Sequence, residues 1–95
     1  EADNGLKNIS YSVAMARTSD PHSATAQFYI NVKNNDSLDH KSKTPAGWGY
    51  AVIGKVAKGH QVVNKIKGVA TGKKGTYDDV PTAPIVITKA SVVEE

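Results

Sequence analysis

The segment AQFYINV, residues 26–32, is the strongest strand candidate in the sequence and decides its fold class. Apolar and polar side chains alternate along it, and residues two apart on a strand share one face. One face carries Phe28, Ile30 and Val32, and the other carries Gln27, Tyr29 and Asn31. The pattern predicts a β protein in which one face of this strand places an amide beside an aromatic ring.

Outward from this strand, three further segments have strand character and one has helix character. The strand candidates are residues 9–15, 50–56 and 85–89. Residues 60–66 predict a short helix, because Val62, Val63 and Ile66 share a face and Gly68 supplies a stop. The segments 33–50 and 68–84 are rich in turn-forming residues and predict two long loops.

This set of elements is too small for a free-standing β domain. Four strands separated by long loops cannot close a barrel, and one short helix covers little of an open sheet, so strand edges stay unpaired. The sequence also starts at Glu1 without an initiator methionine. We therefore expect a fragment of a longer chain, with a processed mature protein as the alternative.

The composition excludes several classes of function. The 95 residues allow one small domain, and 12 Lys+Arg against 9 Asp+Glu give a net charge of +3. That charge is too mild to indicate nucleic-acid binding. The absence of cysteine excludes a disulfide framework, a thiol nucleophile and a cysteine-based zinc site. No apolar run approaches the ~18 residues of a membrane helix.

Three candidate motifs fail on spacing. Asp20, His22 and Ser23 have the residue types of a catalytic triad but are crowded into one polar loop. The histidines at positions 22, 40 and 60 match no metal-ligand spacing. Residues 68–75 lack the glycine spacing of a phosphate loop. We therefore reject all three motifs and predict no metal site.

A surface remains as the best candidate site. Gln27 and Tyr29 lie on the polar face of their strand, beside the end of the first strand at Ala16 and Arg17 and the loop segment 36–39. An amide next to an aromatic ring suits an extended peptide, because one hydrogen-bonds the backbone and the other packs an apolar side chain. The alternative is that Tyr29 is simply a core aromatic residue.

A series of motifs resembles the signature of cyclophilin-type peptidyl-prolyl isomerases, with the single-domain bacterial enzymes the most similar. The matching segments, in order, are residues 13–17, 20–32, 35–39, 47–56, 62–66, 79–81 and the closing strand candidate, residues 85–89. The resemblance covers essentially the whole sequence. It implies a mainly β fold, an eight-stranded closed antiparallel barrel with two helices, of which residues 1–95 are the C-terminal part with about four strands and one helix.

The resemblance also implies an activity, prolyl cis–trans isomerisation, that needs no cofactor. Rotation about a peptide bond faces a barrier of ~18–20 kcal/mol, and such an enzyme lowers it by binding the twisted amide better than either planar form. In the family an arginine donates a hydrogen bond towards the prolyl nitrogen. The segment that carries this arginine has no counterpart here, so no residue of this chain is expected to be catalytic, and Gln27 has a supporting role.

The substrate-binding residues implied by the resemblance include three in the proline pocket or beside it. Gln27 matches the active-site glutamine, Tyr29 a pocket phenylalanine and Leu38 the pocket leucine. The backbone of Ala16 and Arg17 matches the pair that binds the peptide.

Two further positions depart from the most common family residues. Tyr50 stands where many members have a histidine at the pocket rim. Ser37 replaces a usual tryptophan or phenylalanine, which implies weak binding of ciclosporin at most.

The expected partners are proline-containing peptides and unfolded proteins, without nucleic acid or membrane. Residues 47–50 and 68–72 resemble the cytoplasmic bacterial type, with the periplasm as the alternative. A different class of function also stays open. The 95 residues could form a non-catalytic fragment that binds peptides or self-associates through its unpaired strand edges.

Overall fold

The computed structural model describes residues 1–93, and the charged end Glu94–Glu95 lies outside the described residues. Five strands are present in this part: β1 (Ser12–Met15), β2 (Phe28–Ile30), β3 (Val52–Lys55), β4 (Thr71–Lys74) and β5 (Tyr77–Pro81). One α-helix, α1 (His60–Lys67), follows β3, and a short 3-10 helix spans Asp36–Leu38. The mainly β class predicted from the alternating pattern is confirmed.

β1 is the centre of a three-stranded antiparallel sheet with the order β2-β1-β3. Ala14 on β1 lies opposite Tyr29 on β2, and Met15 lies opposite Phe28. The pairing of β1 with β3 shifts register between Val13 and Ala14. Because β1 lies between the other two strands, its C-terminal end brings the ends of β2 and β3 and the loops beside them to one place.

The small core lies on the face of the sheet that the sequence presents as polar. Ala14 is fully buried, and two asparagines, Asn8 and Asn31, are each only 1% exposed. The opposite face is apolar but open, with Phe28 51% exposed. The helix His60–Lys67 covers only part of this face, where Val63 and Ile66 line one groove together with Phe28, Ile30 and Val32.

Three predicted strands are confirmed, each shorter than predicted, and the predicted helix is confirmed with nearly the predicted length. The segments 9–15, 26–32 and 50–56 contain β1, β2 and β3, and the helix predicted over 60–66 extends one residue further, to Lys67. The strands are shorter than the alternating segments because the hydrogen-bonded register with their neighbours covers only part of each.

The prediction that residues 68–84 form a long loop is wrong. This segment contains β4 and β5, which pair as a hairpin separate from the main sheet, with Lys74 opposite Tyr77. Gly75 has φ +62°, the left-handed conformation that a two-residue hairpin turn requires. The turn chemistry therefore produces a hairpin although its strands are almost entirely exposed.

The predicted strand over residues 85–89 is also wrong. Ile85 and Ile87 are 46% and 69% exposed, and the segment has no strand structure. A strand needs a hydrogen-bonded neighbour, and none of the described strands pairs with these residues. The closed eight-stranded barrel stays a prediction.

Within residues 1–93, α1 is the longest helix, and no helix there has the length and apolar character needed to cross a membrane.

Candidate functional site

The end of the β1–β2 pair brings the predicted peptide-binding backbone together. The Ala16 amide donates a hydrogen bond to the Gln27 carbonyl oxygen at 2.8 Å, just beyond the last register pair of the two strands. Gln27 is exposed, whereas Ala16 and Arg17 are half-buried. Gln27 therefore lies directly beside the segment Ala16–Arg17, as the sequence predicts.

Two tyrosines and the arginine form the aromatic part of the site. The rings of Tyr29 and Tyr50 meet edge to face, with centroids 5.9 Å apart and an interplanar angle of 81°. This is a favourable arrangement for aromatic rings. The guanidinium carbon of Arg17 lies 4.6 Å from the centroid of the Tyr50 ring, within the range of a cation–π interaction. Arg17, Tyr29 and Tyr50 thus form one continuous surface.

The 3-10 helix carries Ser37 and Leu38 to the same region. The Tyr50 amide donates to the Leu38 carbonyl oxygen at 2.8 Å, so the backbones of these two predicted site residues are paired. Leu38 is half-buried and Ser37 is exposed. Gly49, which precedes Tyr50 in sequence, has φ +75°, a conformation that lets the backbone approach Leu38 closely.

A buried asparagine that the sequence analysis missed links these residues from below. The Asn8 side-chain oxygen accepts hydrogen bonds from the Tyr29 hydroxyl at 2.9 Å and from the Asn31 Nδ2 at 3.1 Å. Its Nδ2 donates to the carbonyl oxygens of Leu38 and Tyr50 at 3.1 Å and 3.3 Å. Asn8 therefore contacts three of the predicted site residues, Tyr29, Leu38 and Tyr50.

A carboxylate completes this network. Asp39 Oδ1 accepts from the Asn8 amide at 2.6 Å and from the Asn8 Nδ2 at 3.2 Å. Asn31 donates from its Nδ2 to the Ser12 hydroxyl at 2.8 Å, and its own oxygen accepts from Asn35 at 2.7 Å. No side-chain N or O atom that is buried in the described part lacks a hydrogen-bond partner. The floor of the site is thus a fully satisfied polar network, which holds a unique arrangement of side chains.

The surroundings of the Tyr29 hydroxyl shift its pKa. Burial raises the pKa of Tyr29 from 10.0 to about 12, with further upward contributions from Tyr50 and Asp39 that outweigh the lowering effect of Arg17. The phenol is therefore neutral at physiological pH. It acts as a hydrogen-bond donor to Asn8 and as an apolar surface.

The raised pKa predicts a loss of stability in alkaline solution. Above about pH 10 the unfolded chain releases the Tyr29 proton, whereas the folded chain keeps it until about pH 12. The unfolded state then binds fewer protons, so the free energy of unfolding falls as pH rises through this window. Urea unfolding of the wild type at several alkaline pH values should show a steeper decline than that of Tyr29→Phe.

The matched control for this measurement is Tyr77→Phe, which changes an exposed tyrosine on β5 (73% exposed). It should keep the slope of the wild type between pH 10 and pH 12. Equal slopes for wild type and Tyr29→Phe would show that the Tyr29 proton is not linked to folding.

The loop over residues 41–49, which is part of the long loop predicted over residues 33–50, borders the site. The Trp48 ring contacts the rings of His22 and His40, and in each pair the ring centroids are 5.0 Å apart. His40 Nδ1 also lies 2.9 Å from the Trp48 carbonyl oxygen. The segment 47–56 belongs to the series of matching motifs in the sequence, but the packing of Trp48 against His22 and His40 does not follow from that match.

The discarded motifs form ordinary structure. The His22 amide donates to Asp20 Oδ1 at 3.0 Å, and the Ser23 hydroxyl donates to the Asp20 carbonyl oxygen at 2.7 Å. These are the local bonds of a polar turn. Across the described part of the chain, no group of three or more His, Asp or Glu side chains is placed to hold a metal ion.

The fold and the site define a mainly β protein with a surface of aromatic, amide and guanidinium groups. Comparison with known families assigns this class. Residues 1–92 match the family described as cyclophilin type peptidyl-prolyl cis-trans isomerase/CLD. The chain belongs to the cyclophilin family, which confirms the resemblance seen in the sequence.

Several bacterial proteins named as isomerases are similar to this chain. The chain is 62% identical over 93 residues to the peptidyl-prolyl cis-trans isomerase cyp18 of Streptomyces antibioticus, covering 98% of this chain and 56% of that protein. It is 53% identical over 94 residues to the peptidyl-prolyl cis-trans isomerase B of Escherichia coli K12, covering 99% and 57%. The corresponding enzyme A of Dickeya dadantii is 50% identical over 95 residues, covering 100% and 48%. The chain thus spans about half the length of the curated relatives it matches.

Proposed function

We propose that this chain carries the substrate-binding surface of a peptidyl-prolyl cis-trans isomerase that acts on proline-containing peptides and unfolded proteins. The observation that carries the proposal is the meeting of Arg17, Tyr29, Leu38 and Tyr50 on one surface, over the shared hydrogen-bond partner Asn8. The names of the bacterial relatives point to the same reaction.

The surface divides the work of binding between apolar and polar groups. The rings of Tyr29 and Tyr50 and the side chain of Leu38 provide an apolar contact for a proline ring. The exposed Gln27 and the backbone of Ala16 and Arg17 offer donors and acceptors to the peptide on either side. Holding both flanks while the X-Pro bond rotates favours the twisted amide over the planar forms, which is the condition for catalysis.

The arginine that acts on the prolyl nitrogen is proposed to lie outside these 95 residues. Arg17 is the only arginine in the sequence, and its guanidinium already donates to the carbonyl oxygens of Gly49, Thr18 and Pro45. These bonds hold Arg17 at the rim of the site, so we do not propose it as the arginine that acts on the prolyl nitrogen. On this proposal residues 1–95 are the C-terminal part of one cyclophilin-like domain, and full activity needs the remainder.

Two finer proposals concern the binding of ciclosporin and the compartment. Ser37 adds little apolar area at the rim, so ciclosporin binds weakly. The bacterial relatives support a bacterial protein, for which we propose the cytoplasm as the site of action.

The proposal predicts that the chain binds a short peptide containing Ala-Pro. Titration followed by amide chemical shifts should perturb Ala16, Arg17, Gln27 and Tyr50. Tyr29→Ala should weaken binding about tenfold, because it removes the largest apolar contact, worth ~1.5–3 kcal/mol when fully buried. Tyr77→Ala, on the separate hairpin, is the matched control and should leave the affinity unchanged.

The catalytic half of the proposal needs a rate measurement. The 95-residue chain should barely accelerate isomerisation of the peptide, and a protein that joins this chain to the remainder of its domain should accelerate it strongly. Peptide binding that is equally insensitive to Tyr29→Ala and Tyr77→Ala would reject the site. A joined protein without activity would reject the reaction.

Self-association is a second candidate function, favoured by exposed apolar side chains. Phe28 and Ile53 are 51% and 58% exposed, and both lie on the outer strands of the three-stranded sheet. Such edges recruit further strands. Sedimentation of the chain at increasing concentration separates this candidate from the first, since a monomer that binds peptide supports the isomerase surface alone.

A further inference from the structure

The charge of Arg17 is held at the rim of the site by neutral partners. Its Nε donates to the Gly49 carbonyl oxygen at 2.9 Å, one terminal nitrogen to Thr18 at 2.7 Å and the other to Pro45 at 3.4 Å. The Tyr50 ring lies against the guanidinium. Carbonyl oxygens and an aromatic face orient a cation without cancelling its charge, so the net positive charge remains at this position.

Two acidic side chains of the region, Asp39 and Asp20, accept hydrogen bonds from groups other than Arg17. Within residues 1–93 the ion pair present joins the N-terminal amine to Asp3 at 4.0 Å, and Arg17 takes part in none. Asp39 accepts hydrogen bonds from Asn8, and Asp20 accepts from the His22 amide. The guanidinium carries five N–H donors, and the three bonds to carbonyl oxygens leave two of them available.

Two of the three carbonyl oxygens that hold Arg17, those of Pro45 and Gly49, belong to a loop that is itself fixed. The amides of Gly47 and Trp48 donate to the Thr44 carbonyl oxygen at 3.0 Å and 2.9 Å, and Trp48 packs against His22 and His40. Gly47 and Gly49 are buried. Because its supports are ordered before a ligand arrives, Arg17 loses little side-chain entropy when it binds an anion.

Space for a ligand side chain lies next to the guanidinium. Arg17 borders a groove of about 410 Å³ that is also lined by Pro21, His22 and Trp48. Glu1 is the acidic residue on this groove. A peptide that pairs with the backbone of Ala16 and Arg17 would lie beside this groove, because Arg17 lines it.

We propose that Arg17 makes the site selective for peptides that carry an acidic residue next to the proline. The inference rests on the proposed function of the same surface and adds a specificity to it. A carboxylate of the peptide accepts charge-assisted hydrogen bonds from the free guanidinium donors. The pair is partly exposed to solvent, so the expected preference is modest, about threefold in affinity at low salt.

The test compares peptides of the same shape that differ by one charge. Two pairs are used, with Glu or Gln immediately before the proline in the first pair and immediately after it in the second. The full 95-residue chain should bind the Glu peptide about threefold more tightly in at least one pair. The preference should disappear at about 1 M salt, where the screening length falls to ~3 Å.

Two variants assign the preference to Arg17. Arg17→Gln should bring the Glu-to-Gln affinity ratio to one, whatever its effect on the affinity for both peptides. Lys43→Gln removes one positive charge from the same loop at an exposed position and should keep the ratio of the wild type. The ratio is the deciding quantity, because a general disturbance of the site lowers both affinities together.

The outcomes separate this inference from the proposed function. Equal binding of Glu and Gln peptides by the wild type, or a ratio that survives in Arg17→Gln, overturns the acidic specificity and leaves the peptide site standing. Failure of the wild type to bind any of the four peptides rejects the peptide site and the specificity with it.

Discussion

Asn8→Ala is expected to lower the free energy of unfolding by about 3 kcal/mol, since each buried polar group left unsatisfied costs ~1–3 kcal/mol. Asn8 is 1% exposed. The substitution removes the acceptor of the Tyr29 hydroxyl and of Asn31, and the donor to the carbonyl oxygens of Leu38 and Tyr50. Solvent reaching the cavity would recover only part of these bonds.

The same change should weaken peptide binding in a way that separates Asn8 from an ordinary core residue. Tyr29, Leu38 and Tyr50 lose their common partner, so their relative positions become less defined. Tyr29→Phe removes only one of the Asn8 bonds and should cost less stability than Asn8→Ala, about 1 kcal/mol. The two variants together report how much of the effect comes from the tyrosine alone.

Asn34→Ala is the matched control for Asn8→Ala. Asn34 is exposed, and its side-chain oxygen accepts one hydrogen bond, from the Ser10 amide at 3.0 Å. This change should stay within about 0.5 kcal/mol of the wild type. Urea unfolding followed by Trp48 fluorescence measures all three variants, and similar losses for Asn8→Ala and Asn34→Ala would contradict the role of the buried network.

Alternation predicts the strands that have a packed face and fails for those that do not. Residues 26–32 alternate, and β2 forms within them, because one side of the strand packs and the other does not. β4 and β5 contain lysines and aspartates and are mostly exposed, so no alternation marks them. The feature that indicates the β4–β5 hairpin in the sequence is Gly75 in the turn. Residues 85–89 have strand character in sequence, yet a side-chain pattern alone cannot supply the hydrogen-bonded neighbour that a strand requires.

The surface of the site was easier to predict than its support. Gln27 and Tyr29 share a strand face with Asn31, and this face pointed to the candidate surface directly. Asn8 lies in a polar segment with no periodic pattern, and its importance comes from partners 21 to 42 positions away in sequence. A buried amide becomes a structural residue only through such distant partners, which one sequence does not display.

Gly49→Ala is expected to destabilise the chain by about 3 kcal/mol, from two causes acting together. A left-handed conformation costs a residue with a β-carbon ~1–2 kcal/mol, and Gly49 has φ +75°. A β-carbon there would also lie 2.5 Å from the Leu38 carbonyl oxygen and 2.6 Å from backbone atoms of Asp39 and His40. Backbone atoms cannot rotate away, so overpacking adds a further ~1–3 kcal/mol.

Gly5→Ala isolates the first cause, so its difference from Gly49→Ala measures the second. Gly5 has φ +85°, but a β-carbon there would meet nothing within 4 Å. This variant should lose only the conformational part, ~1 kcal/mol. Both are measured by urea unfolding, and equal losses would show that the close approach of Gly49 to Leu38 is not a constraint.

The functional consequence of Gly49→Ala should exceed that of a general loss of stability. The Gly49 carbonyl oxygen accepts from Arg17 Nε at 2.9 Å, and the next residue, Tyr50, pairs its amide with Leu38. Moving this backbone displaces the guanidinium and the tyrosine ring at the same time. Peptide affinity should be measured at urea concentrations well below the unfolding midpoint. It should fall in Gly49→Ala and stay unchanged in Gly5→Ala, since only Gly49 joins the loop to the site.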